Sequence, residues 1–107
     1  MGMQSSTDFD RAQVRTVGAF TGTGVGVSAL LFRSFNLSIW GTFVGTVALE
    51  RSFDGGTTWL NCTKSDGTAN SFTAGVSVVC EEPEPGVLYR LNCTAFTSGA
   101  INWRLSQ

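Results

Sequence analysis

The sequence predicts an all-β domain, an antiparallel β-sandwich (jelly-roll or immunoglobulin-like) of about eight strands with a polar N-terminal arm. Three observations predict it. Apolar and polar residues alternate with a period of two in 35–40, 46–53, 87–96 and 100–105, the pattern of strands with one buried face. Turn residues interrupt the chain at intervals of roughly 8–12 residues. Helical periodicity is confined to a single turn near Asp8 to Gln13.

The 107 residues divide into an arm, 1–12, and one sandwich domain, 13–107. The arm begins Met-Gly-Met-Gln-Ser-Ser-Thr-Asp-Phe-Asp and shows no alternation. Gln13 to Phe20 reads as the first strand, and the glycines of Thr21 to Gly26 as a turn. No helix pattern and no Gly-Lys-Ser/Thr ending follows them, which argues against a phosphate loop. Ser28 to Phe32 is a short apolar strand. Phe35, Leu37 and Ile39 form the inner face of the next, and Gly41 to Gly45 turn the chain. Val47, Leu49 and Phe53 then point inward, with Glu50 and Ser52 outward. Arg51 falls in phase with the inward set, a place where its stem can cover apolar surface at the sheet rim.

Trp59 to Thr63 is a short strand, 64–70 a polar loop and 70–73 a small strand. Val76 to Cys80 is β-branched and apolar. Glu81-Glu82-Pro83-Glu84-Pro85-Gly86 is then expected to break the sheet, because proline lacks a donor and restricts the residue before it. Val87, Tyr89, Leu91 and Cys93 share a face of the longest strand. A turn at Thr97-Ser98-Gly99 leads to Ala100–Leu105, with Ile101, Trp103 and Leu105 inward, and these last two strands are expected to pair as a hairpin.

The strongest reversal signal is Ser52-Phe53-Asp54-Gly55-Gly56-Thr57-Thr58-Trp59. Gly55 and Gly56 can take positive φ, and the Asp54 carboxylate can fold back onto backbone N–H groups. Trp59 leaves the turn and can lay its ring over the neighbouring strand. The order Ser-x-Asp-x-Gly-x-Thr-Trp resembles the Asp-box, a hairpin motif of sialidase propeller blades and of other β proteins. The resemblance implies a structural turn carried by Ser52, Asp54, Gly55, Gly56 and Trp59. It occurs once, and a propeller of four or more blades does not fit in this length.

Composition removes several classes of chemistry. Histidine is absent, which excludes Ser-His-Asp and Cys-His nucleophile systems and nearly all catalytic zinc sites. Cys62, Cys80 and Cys93 are odd in number and lack Cys-x-x-Cys spacing, so they read as small buried hydrophobes rather than a disulfide framework. With no signal-peptide pattern, the three Asn-x-Ser/Thr sequons at Asn36, Asn61 and Asn92 are discounted as glycosylation sites. Charged residues make up 14% of the chain and the net charge is −1, so neither nucleic acid nor an anionic membrane is an expected partner. Six of the seven cations are Arg, the residue favoured at protein interfaces.

The acidic run Glu81, Glu82 and Glu84 lacks the spacing of a calcium loop and reads as a solvated tip or a docking surface for Arg on a neighbour. Carboxylate pairs for glycoside hydrolysis are not expected, since Asp54 is committed to its turn and the others lie on turns or a solvent face. No catalytic, cofactor-binding or metal-binding residue is assigned. Trp40 and Phe43 are candidate exposed aromatics, suited to an interface or to stacking on a sugar ring.

The segment Phe35–Trp59 resembles small virion-associated proteins of tailed bacteriophages. So does the ending Glu81-Glu82-Pro83-Glu84-Pro85-Gly86-Val87-Leu88-Tyr89-Arg90, with Cys93–Gly99 and Arg104-Leu105-Ser106-Gln107. The resemblance implies a capsid decoration or cement protein, made in the bacterial cytoplasm and placed on the virion head. It would clamp neighbouring major capsid protein subunits as a homo-oligomer, a dimer or trimer. The interface candidates are Phe9, Arg11, Arg15, Arg33, Trp40, Phe43, Glu81, Glu82 and Glu84. The alternative is a tail-associated or carbohydrate-binding β-sandwich module.

Overall fold

A computed structural model describes residues 13–107. Eight strands cover this span: β1 (Arg15–Phe20), β2 (Gly24–Val25), β3 (Ala29–Trp40), β4 (Phe43–Ser52), β5 (Leu60–Asn61), β6 (Ser71–Phe72), β7 (Val76–Gly99) and β8 (Ile101–Ser106). They form one antiparallel sheet in the order β1-β8-β3-β7-β4-β5, with β2 added to β7 and β6 to β4. The expected arm, with Phe9 and Arg11, lies outside the described residues.

The single sheet folds over on itself because β3 and β7 each run through two layers. In the first layer β1, β8, the second half of β3 and Val76–Glu82 lie side by side. In the second, β7 from Val87 onward pairs with the start of β3, with β2 and with β4. The corner is an irregularity shared by both long strands. Leu31 pairs with Val87 and Arg33 with Glu82, so 83–86 have no opposite number except Phe32. Arg33 takes φ 65, the one non-glycine with positive φ among the described residues. Strands that change layers commonly do so at bulges of this kind.

This corrects the expectation that 81–86 ends a strand. Pro83 and Pro85 fall in the bulge, where no ladder donor is needed, and β7 continues past them. The bulge also switches parity: Glu82 is the buried residue before it, whereas Val87, Tyr89, Leu91 and Cys93 are buried after it. A second correction concerns the end of the chain. β7 and β8 do not form a hairpin; Ala100 carries the chain across, and β8 inserts between β1 and β3. Gly99, at φ 92, permits this turn, since a Cβ there would stand 2.1 Å from the Thr42 carbonyl oxygen.

The core lies between the layers. Leu31, Phe35, Leu37, Ile39, Val47, Leu49, Val87, Leu91, Ile101 and Leu105 are buried, most of them as the alternation predicts. Trp103 fills one end. Its ring lies 6.0 Å from that of Phe20, and Cβ atoms at Gly18 and Gly26 would stand 2.8 and 2.6 Å from it. At the other end the Phe35 and Tyr89 rings meet at 4.7 Å across the layers.

Candidate functional site

The Asp-box turn has the geometry that its sequence implies. The Asp54 carboxylate accepts from the backbone N–H of Thr58 at 2.8 Å and Thr57 at 3.1 Å, and from Ser52 Oγ at 2.8 Å. Ser52 Oγ accepts in turn from the Gly56 N–H at 2.9 Å. Gly55 and Gly56 have φ of 75° and 97°. The bonds from Thr58, Ser52 and Thr57 hold the Asp54 carboxyl down at about 2.

The turn places Trp59 on the outer face of the second layer. Its indole N–H donates to the Gly56 carbonyl at 3.0 Å, and the Arg90 guanidinium lies 4.1 Å above its ring centroid. Arg90 Nε donates to Glu50 at 2.8 Å, and Asn92 donates to the other Glu50 oxygen at 2.9 Å. Glu50 and Arg90 are directly opposed across β4 and β7. Leu30 and Leu88, also opposed, continue the same face, and Val25 stands opposite Asn92. Leu30 is 55% exposed and Val25 53%. The half-buried Arg90–Trp59 pair is thus bordered by exposed apolar side chains.

Alternation alone misreads this face. Glu50 and Ser52 point outward, as expected, yet both are buried beneath the Asp-box turn, Arg90 and Asn92. Phe53, expected inward, is exposed at the start of the turn, with the Arg51 guanidinium over its ring.

A second polar cluster sits between the layers. Glu82 is 1% exposed. Its carboxylate accepts from Tyr89 Oη at 2.5 Å, Arg51 at 3.0 Å and the Glu84 N–H at 2.9 Å. Burial pushes the Glu82 carboxyl up, but the bonds from Tyr89, Glu84 and Arg51 outweigh it and hold it below the ordinary range. Burial and the bond to Glu82 together push the Tyr89 phenol well above its ordinary value. Glu82 is therefore corrected from a surface docking residue to an interior one, and its arginine partner belongs to its own chain. The in-phase position of Arg51 was the sequence signal for this pair.

The other interface candidates do not converge. Arg15 is exposed on the edge strand β1 and Arg33 at the corner, both at the end of the first layer that holds Ser106, with Arg33 lying over the Phe32 ring. Trp40 is 50% exposed. Phe43 is corrected from an exposed aromatic to one packed against the core. Glu81 and Glu84 are exposed, and Glu81 accepts from Ser34 Oγ at 2.7 Å. The acidic trio is thus split between solvent and interior. Among the described residues no cluster of three or more metal-ligating side chains occurs, and no helix is long and apolar enough to cross a membrane.

All three cysteines are free thiols; Cys93 is buried and Cys62 and Cys80 are half-buried. Comparison with known proteins returns no match to a protein family, to a curated protein or to a solved structure.

Proposed function

We propose that this protein is a structural virion protein of a tailed bacteriophage, a decoration or cement protein that binds between major capsid protein subunits. The observation that carries the reading is the outer face of the second layer. There Arg90, stacked on Trp59, donates to Glu50, which also accepts from Asn92, and exposed Leu30 and Val25 border the group. Trp59, Arg90, Glu50 and Asn92 are fixed by hydrogen bonds before any partner arrives, so little of their rotamer entropy remains to be lost on docking. The resemblance of residues 35–107 to small phage virion proteins supplies the partner.

The test mixes purified protein with capsids that lack it and measures occupancy by co-sedimentation and cryo-electron microscopy. Leu30→Asp, at an exposed position, should reduce occupancy while the domain still folds. Full occupancy by Leu30→Asp would refute this docking face. Absence of wild-type binding would refute the virion role.

One observation favours a second reading, a sugar-binding module. Trp40 lies on the outer face of the first layer, opposite Asn102 and near the Ser38–Ser77 hydroxyl pair and Arg104. An exposed indole beside amide, hydroxyl and guanidinium groups suits a saccharide ring. A glycan array in which a specific signal disappears on Trp40→Ala would favour this reading.

A further inference from the structure

The first layer ends in an edge that no described residue pairs with. Val76–Glu82 bond to β3 along one side only. Its first five residues, Val76-Ser77-Val78-Val79-Cys80, carry no charge and no proline, the usual devices that keep an edge from pairing with another chain. The inner side of this edge is unfinished as well. Val78 stands opposite the fully buried Leu37 yet is 39% exposed, because it lines an open cleft of about 410 Å³ with Leu49, Cys62, Phe72 and Cys80. On the outer side Val79 is 71% exposed, more than any other large apolar side chain among the described residues.

We infer that a second copy of this chain covers this edge, the two β7 edges pairing antiparallel about a two-fold axis at Val79. Register decides the axis. Side chains opposed across a continuous sheet share a face, so the axis must pass through a residue pair and not between residues. With Val79 opposite Val79, all of 76–82 enters the ladder, a length of about 24 Å. Val78 then meets Cys80 of the other copy on the inner side, twice, at the mouth of both clefts. Ser77 meets Glu81 on the outer side, the pairing already made within the chain, where Ser34 donates to Glu81. No like charges are opposed.

An unlike partner would have to supply an uncharged strand of the same phase, whereas a second copy carries one. A seven-residue strand pair is small beside the roughly 1,200–2,000 Å² of a standard interface, so association should depend on concentration. The inference does not rest on the virion reading and stands or falls separately from it.

Sedimentation velocity of the full chain over a wide concentration range tests it. The mass should rise from 11.4 kDa toward twice that value. Val79→Lys places two lysines face to face at the axis and should weaken dimerisation by about tenfold or more. Circular dichroism should show the monomer folded, since the position is exposed. In Val79→Cys the two opposed Cα atoms would stand about 4.5–5.5 Å apart, within disulfide reach. Glutathione disulfide should then oxidise the two thiols to one disulfide, itself reduced to two glutathione molecules, and a 79–79 linked peptide should appear by mass spectrometry. A wild-type protein that stays monomeric, or assembles only as a trimer, would overturn the inference. So would a dimer that Val79→Lys leaves unchanged and Val79→Cys does not cross-link at that residue.

Discussion

Tyr89 donates its hydroxyl to Glu82 at 2.5 Å from the far side of the bulge that carries β7 between layers. Two residues seven apart on one strand thus pin its corner, and Arg51 completes the cluster from β4. Breaking a buried ion pair from one side costs about 3–5 kcal/mol. Arg51 is half-exposed and can be rehydrated, so Glu82→Gln should fall at the low end, about 3 kcal/mol. Tyr89→Phe should cost about 1.5–3 kcal/mol, the worth of a hydrogen bond to a charged group. The folded Glu82 carboxyl lies below its ordinary value. Its contribution is therefore complete above about pH 4.3 and is lost as pH falls through the lowered folded value. Urea unfolding at several pH values should show a steeper acid loss of stability in the wild type than in Glu82→Gln.

Asp54 gives a separable prediction, because its bonds are local to the turn. Three donors converge on one carboxylate oxygen, and the carboxyl titrates at about 2. Asp54→Ala should lower the urea midpoint, disturb Trp59 fluorescence and, because Trp59 belongs to the proposed docking face, lower capsid occupancy at temperatures where the domain is folded. The wild-type carboxyl, followed by NMR, should remain ionised until pH falls through about 2. The stability it contributes is complete above its ordinary value near 3.8 and disappears across that interval. Full occupancy by a folded variant with a displaced Trp59 would take Trp59 out of the recognition surface.

Gly18 and Gly26 approach the Trp103 ring from opposite layers, so this end of the core has no room for a methyl group. Gly26→Ala should cost about 1–3 kcal/mol through overpacking. Trp103→Ala should cost about 3–5 kcal/mol, a large share of the roughly 5–15 kcal/mol typical of such a domain. The overpacking reading is checked by a cycle with Trp103→Phe. The smaller ring should make the added methyl less costly, so the two changes should couple favourably. Additive effects would place the cost in the backbone instead.

Alternation made much of this fold legible. Leu37 and Ile39, and Ile101, Trp103 and Leu105, face inward as their spacing predicts, and the Asp-box residues form the turn that their order implies. What stayed hidden depends on chain segments meeting. A period of two says which face a residue takes but not which strand lies beside it, so the transfer of β8 to β1 and β3 could not be read from Ala100–Leu105. Pro83 and Pro85 mark a place without ladder donors, and a bulge inside one strand satisfies that as well as a break between two. Glu82 looked solvated because its parity is set by the residues before the bulge, while Val87 onward follows the opposite parity. The outer face of the second layer was hidden for a related reason: Glu50 and Ser52 point outward, but Trp59 and Arg90 fold over them from elsewhere in the chain.

The thiols offer a last test of the cleft. Burial, opposed by the positive charge of Arg51, pushes the Cys62 thiol up to about 11, and burial also raises Cys80 and Cys93. The thiolate is the reactive form, so at neutral pH all three should react slowly with a disulfide reagent in the native state and rapidly in urea. Cys62 and Cys80 line the open cleft and Cys93 does not, so the first two should label before the third. A raised folded value means that the stability linked to Cys62 is complete below its ordinary value near 9 and is lost as pH rises through about 11. Cys62→Ser should therefore flatten the alkaline limb of the stability profile. Rapid native-state labelling of Cys62 at neutral pH would mean that the cleft admits water deeply enough to ionise the thiol.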